Sequence, residues 1–328
     1  MSRPPTAMTD TSCAAAASRT GTGFGRIELT IGPVPYYWSR RTLIDFYARM
    51  AESPADTLCL GEAVCSRRHE MKLADWLDLG DDLQAAGKRI RLSTLALIES
   101  EPELSTLSRQ VQALQAPQRE AWQLEANDAA AVRAAAALAR PWTIGTHVNV
   151  YSAPALAEYR ALGATTWVPP VELPLADIAA MRAASPPSLA CELYAFGKLP
   201  LALSARCFTA RHHRLPKDDC GFRCIEDPDG LLLSSRDGTP FLTLNGIQTQ
   251  SAGVHCVLGQ AQAVRQAGIT RLRLSPCSTS FERIVSLHDA VLNHGQDAGP
   301  ALAELRTLAP GPLVNGFLRE HQPGLQAA

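Results

Sequence analysis

The chain has 328 residues, 46% hydrophobic and 19% charged, the proportions of an ordinary globular protein with enough apolar material for a large core. Lys and Arg total 31 against 32 Asp and Glu, and a net charge of −1 argues against a dedicated nucleic-acid binder. No window approaches the roughly 20 apolar residues of a membrane span, and nine cysteines, an odd number with no regular repeat, fit a reducing, cytoplasmic setting better than a disulfide frame.

Residues 1–25 are rich in Ala, Ser, Thr and Gly, with too few large apolar groups to offset ordering entropy, so they read as a disordered extension. Short β-branched runs then alternate with helical spacing. Strands are expected at 26–33, 56–62, 89–97, 121–127, 142–150, 165–171, 189–197 and 271–276. Helices are expected at 42–50, 71–87 with Gly87 as C-cap, 103–115, 128–139, 153–162, 174–184, 254–267 and 281–294. A further strand, 241–246, falls between the seventh and eighth units, and 301–328 reads as a mixed, Pro-rich tail. Eight strand–helix units across 26–300 imply an α/β fold, a (β/α)8 TIM-like barrel with a cysteine-rich insertion after strand seven. A doubly wound open sheet is the alternative, and no G-x-G-x-x-G follows the first strand to mark a dinucleotide site.

The insertion carries SARCFTARHHRLPKDDCGFRC, in which Cys207, Cys220 and Cys224 are spaced C-x12-C-x3-C. Three thiols this close, without signs of secretion, point to a metal site. Cys65, in CLGEAVCSRR after strand two, is the best fourth ligand, because a barrel puts the loops after strands two and seven on one face. Soft thiolates select zinc, Cu(I) or an iron–sulfur cluster. Only Cys220 and Cys224 form a close pair, whereas structural zinc favours paired short knuckles; spacing therefore leaves a cluster, zinc and a redox or structural role all open.

Cys13 falls in the extension, Cys59 and Cys191 inside strands, Cys256 at the start of a helix, and Cys277 after strand eight, where it is a reserve ligand. Glu62 and Glu192 could orient ligands or move protons, though an acid in an apolar strand is as readily paired to arginine for structure. The basic run 211–214 with Lys217 could offset thiolate charge, bind an anion or be a solvated face. His147 and Asn149, at the end of strand five, are candidates for the barrel mouth. No hydrolytic triad can be read from spacing.

ELYAFGKLPLALSARC (192–207) resembles the signature of the collagenase-like, U-type peptidase family, with Glu192, Gly197, Leu199, Ser204 and Cys207 on its pattern. Pro200 stands where the signature has Cys, and Ala205 where it has Gly. GPVPYYW (32–38), CLGEAVCSRR (59–68), STLAL (93–97), PVEL (170–173), SARCFTAR (204–211), LPKDDC (215–220), LNGIQT (244–249) and LRLSP (272–276) resemble the family's UbiV-like branch over about residues 26–300. That resemblance implies a [4Fe–4S] cluster held by Cys65, Cys207, Cys220 and Cys224, with no catalytic residue assigned. It also implies a heterodimer with a UbiU-like protein, a UbiT-like lipid-binding helper, and O2-independent ring hydroxylation of a ubiquinone precursor with prephenate as hydroxyl donor. Within the broad family, hydroxylation of RNA bases and a cluster-bearing scaffold without its own active site are the alternatives; peptide hydrolysis ranks last.

Overall fold

The protein is described by a computed structural model over residues 25–318. The extension expected before Gly25 and the last ten residues of the expected tail lie outside the described residues. Eight parallel strands form a closed ring: β1 (Glu28–Ile31), β2 (Thr57–Leu60), β3 (Arg89–Ser93), β4 (Gln123–Ala126), β5 (Trp142–Ile144), β6 (Ala164–Trp167), β7 (Ala190–Leu203), and, after three antiparallel strands β8 (Leu231–Ser234), β9 (Pro240–Asn245) and β10 (Gln248–Cys256), β11 (Arg271–Leu274). β11 pairs in parallel with both β1 and β7, which closes the barrel and removes the open-sheet alternative. Helices follow the strands, as the (β/α)8 reading requires.

Each helix lays an apolar stripe on the barrel. The first, Arg40–Glu52, is capped by Ser39, whose hydroxyl accepts from the Thr42 amide, and buries Leu43, Phe46, Tyr47 and Met50. The helix Leu73–Ala85 ends as expected at Gly87, whose φ of 87° is the left-handed turn that glycine adopts without penalty. Among the described residues, no helix is long and apolar enough to cross a membrane.

Strands three and six end at Ser93 and Trp167, each four residues short of expectation, and four other departures are larger. Strand five stops at Ile144, because 146–148 turn into a 3-10 helix; His147 sits in that turn and Asn149 after it, with φ 61°. β7 runs on to Leu203, six residues past the expected end, because β10 pairs antiparallel with its second half. The helix expected at 254–267 is confined to Ala261–Gln266; Cys256 ends β10 instead of starting a helix. Residues 298–308, at the start of the expected tail, form a helix that buries Ala301 and Leu305, and β12 (Leu313–Val314) pairs with β10.

The barrel interior holds four buried charges from four strands. Arg91 Nη1 donates to Glu192 Oε1 at 3.0 Å and lies 3.5 Å from Glu125 Oε2; Arg273 Nε donates to Glu192 Oε1 at 2.8 Å, and its Nη1 to Glu125 Oε1 at 3.0 Å. Thr30 Oγ1 donates to Glu192 Oε2 at 3.0 Å. Burial opposes ionisation of Glu192, but Arg91 and Arg273 overcome it and bring its carboxyl down to about 2. Glu192 is thus an arginine-paired structural acid, one of the two roles open to it from sequence.

This packing carries two expectations for stability. A Cβ at Gly80 would stand 2.2 Å from the Trp122 ring, whose Nε1 is tied to Gln84, so Gly80→Ala should destabilise by about 1–3 kcal/mol in urea titration, although alanine is the better helix former. Glu192→Gln should cost about 3–5 kcal/mol, because it leaves two buried guanidiniums to share the one carboxylate of Glu125. The folded carboxyl titrates below the unfolded value of about 4.3, so its stabilisation is complete above that pH and fades toward about 2. Unfolding free energy measured from pH 5 to 2 should fall for the wild type and fall less steeply for Glu192→Gln.

Candidate functional site

The eight described cysteines divide into two groups. Cys59, Cys191, Cys256 and Cys277 are buried; Cys65, Cys207, Cys220 and Cys224 are only partly buried, and all eight are free thiols. Cys59 and Cys191 lie inside β2 and β7, as expected for thiols packed as small hydrophobes. Cys277, the reserve ligand, is 4% exposed and its Sγ contacts the Thr279 carbonyl.

Two loops carry the partly buried thiols. After β2, the chain turns around Glu62, whose Oε1 accepts from the Val64 amide at 2.8 Å and the Cys65 amide at 3.0 Å. After β7, the Ser204 amide donates to Ile247 O at 2.9 Å and the Phe208 amide to Gly246 O at 2.8 Å, anchoring the segment to the β9–β10 turn. Cys207 precedes the short helix Phe208–His212, and its Sγ accepts from the Ala210 amide at 3.4 Å. Cys220 and Cys224 flank a tight turn in which Gly221 and Phe222 both have positive φ.

Arg68 ties these loops together. Its side chain is 2% exposed; Nη1 donates to Pro35 O at 2.7 Å and lies 3.4 Å from Glu62 Oε1, and Nη2 donates to Asn245 Oδ1 at 2.6 Å. The same guanidinium lies close enough to the Cys224 thiol to oppose the rise that burial gives it. Arg67 adds a second tie, with Nη1 donating to Asp218 Oδ1 at 3.1 Å and Nη2 to Asp218 O at 2.6 Å. Sequence reading passed over both arginines; their place directly after a candidate ligand was the available signal.

The thiols sense one another through space. Burial pushes Cys65 up to about 11, with Arg68 opposing and Cys207 adding to the rise. Burial also raises Cys224, Arg68 again opposes, and Cys207 and Cys220 raise it further. Among the described residues, no three His, Cys, Asp or Glu side chains form a group that could hold a metal ion. Arg206, Arg211, Arg214 and Lys217 line a cavity of about 360 Å3 with Cys207. Lys217 is also paired with Glu99 at 3.1 Å, while Arg211, His212 and Arg214 are exposed, so the basic run is a solvated face that borders Cys207.

The barrel mouth opens beside this region. His147 lines a cavity of about 50 Å3 with Ala63, Val64, Glu125, Asn127, Lys198, Gln250 and Arg273, and burial brings its imidazole down to about 4, so it is neutral at neutral pH. Asn149 does not reach that cavity; it lines an adjoining one of about 250 Å3. Pro200, the position at which the chain departs from the signature's cysteine, lies on the wall of both.

Residues 45–323 match peptidase family U32. The chain belongs to that family. Solved structures similar to this U32 chain include a U32 peptidase, 12% identical over 79% of this chain and 98% of that one, with a TM-score of 0.42. Dihydropteroate synthase from Thermus thermophilus is 12% identical over 82% of this chain and 93% of that one, with a TM-score of 0.42. The U32 resemblance expected from 192–207 therefore holds at the level of the family, and the signature segment is the strand and loop that lead to Cys207.

Arg68→Ala should destabilise the protein by about 2–4 kcal/mol, because it leaves the buried Asn245 Oδ1 without its donor and the partly buried Glu62 carboxylate without its cation. Lysine at 68 should recover less than half of that loss in denaturant titration, since one ammonium cannot span the bonds that a fork-shaped guanidinium makes.

Proposed function

We propose that this chain is the iron–sulfur subunit of a UbiU–UbiV-like heterodimer that hydroxylates the aromatic ring of a ubiquinone precursor without O2, with prephenate as hydroxyl donor and a UbiT-like protein presenting the lipid. The observation that carries the reading is the division of the cysteines. The four that the UbiV-like motifs assign as ligands are the four that remain partly exposed, linked electrostatically through Cys207, while the other described cysteines are packed away.

The donor set fits a [4Fe–4S] cluster: four free thiols, each soft, on two loops braced by Arg67 and Arg68. Cys65, Cys207, Cys220 and Cys224 would hold it. When bound, such a cluster supplies one-electron transfer. The chain's own residues do the rest. Glu62 fixes the backbone at Val64 and Cys65, Arg68 stabilises negative charge at Cys224, and Arg206, Arg211, Arg214 and Lys217 offset the charge of bound thiolates beside Cys207.

Cys65→Ala, Cys207→Ala, Cys220→Ala and Cys224→Ala should each abolish the brown chromophore of protein purified without oxygen, while Cys277→Ala should keep it. Iron and sulfide assays with absorption spectra check this. Full iron and sulfide in Cys65→Ala would remove the assignment.

A further inference from the structure

The segment that carries Cys207 is charged with one sign. Between Glu192 and Asp218 the chain holds Lys198, Arg206, Arg211, Arg214 and Lys217 and no acid, in a protein whose net charge is −1. Lys198 is turned inward, its Nζ donating to the Asp229 carbonyl at 2.8 Å. The other four line a cavity of about 360 Å3 with Ala205, Cys207 and Leu215. Lys217 is fixed there by Glu99 at 3.1 Å and the Ala205 carbonyl at 2.7 Å.

The acids that could neutralise this face are engaged with other cations. Asp218 is paired with Arg67, Glu99 with Lys217 and Glu226 with Arg223. Arg206, Arg211 and Arg214 are exposed, and among the described residues none of the three is paired with a carboxylate. An apolar spot adjoins them. Ile225, next to Cys224, is 40% exposed, and its turn, Arg223–Glu226, packs against the helix Phe208–His212 that carries Arg211. Arginines beside a small apolar patch are a mark of protein-docking surfaces.

We propose that this face docks a small acidic protein that carries one electron at a time and delivers it to the cluster beside Cys207. The choice of carrier rests on the iron–sulfur reading above. A cluster bound by four thiolates is anionic and would by itself repel an acidic carrier; the arginine face reverses the sign of the field on the approach. Electron transfer falls steeply with distance, and Cys207 is a partly buried thiol that lines the face itself. The step moves one electron from the reduced carrier to the oxidised cluster; no bond forms or breaks and no proton moves. Exposed cations spread over a surface suit a protein partner better than a small anion, which needs donors turned onto one point. RNA fits less well, because the exposed rings Tyr151 and Phe241 lie after β5 and in β9, so the face lacks an aromatic platform for bases.

The test is calorimetric titration of the full chain, purified without oxygen and assayed for iron and sulfide, with a plant-type [2Fe–2S] ferredoxin as the acidic carrier. Binding should be saturable at about 0.05 M salt and at least about tenfold weaker at about 0.5 M, where exposed charges are screened. Arg206→Glu, Arg211→Glu and Arg214→Glu combined should weaken it at least about tenfold at low salt, whereas Arg41→Glu, Arg109→Glu and Arg133→Glu combined, the same charge change at exposed arginines elsewhere, should leave it within about threefold. Mixing the oxidised chain with reduced ferredoxin should bleach the cluster's absorption at a rate that falls likewise with salt. No saturable binding, binding indifferent to salt, equal loss in the two triple variants, no electron delivery, or tighter binding of a single-stranded RNA oligonucleotide at equal salt overturns the proposal. Should the first triple variant lose its iron, the salt dependence and the RNA comparison on the wild type decide. Iron-replete protein that ignores ferredoxin overturns this proposal alone; protein without iron removes the cluster reading and this proposal with it.

Discussion

Four charges buried inside the barrel set the terms for everything above them. Arg91, Glu125, Glu192 and Arg273 come from β3, β4, β7 and β11, and each carboxylate is shared between both guanidiniums. Barrel interiors are ordinarily filled with branched aliphatic side chains. Here the layer below the mouth is ionic, and ions out of water are tolerated only when every partner is in place. The network therefore fixes which residues of four strands face inward and at what height. That height is also the floor of the mouth, since Glu125 and Arg273 line its inner cavity.

Above this floor, arginine again does the organising. Arg68 is a buried cation reaching the β1 loop at Pro35, the β9–β10 turn at Asn245, its own loop at Glu62 and the thiol of Cys224. A point charge on a flexible stem could not make those contacts together; a planar fork can. The consequence is that loops far apart in sequence, after β2 and after β7, are braced against each other. The long β7 contributes as well. By pairing with β10 beyond the barrel rim, it carries the chain outward before Cys207, and leaves Pro200 as wall for both mouth cavities.

The barrel was legible because its strands are short apolar runs separated at regular intervals by segments of helix-forming residues. The remote cysteine was legible only through the barrel, since nothing in the local spacing joins Cys65 to the trio. β10 was not legible: QTQSAGVHC is buried at every position, so it shows no alternation, and its backbone is paired on both sides by β7 and β9. The helix 298–308 was hidden by Gly299 and Pro300, which occupy its first turn, where a missing amide proton costs nothing. The ionic layer left a trace that went unread: Arg89 and Arg91, and Arg271 and Arg273, stand two apart in their strands and so share one face, which marks that face as charged.

The central claim is that four partly exposed thiols on two arginine-braced loops hold a cubane cluster. Its most direct test is Mössbauer and EPR spectroscopy of iron-57-enriched wild-type protein purified without oxygen, with metal and sulfide counted on the same sample. The account predicts about four iron and four sulfide per chain and the signal of a [4Fe–4S] centre on reduction. One zinc per chain with no acid-labile sulfide would contradict it.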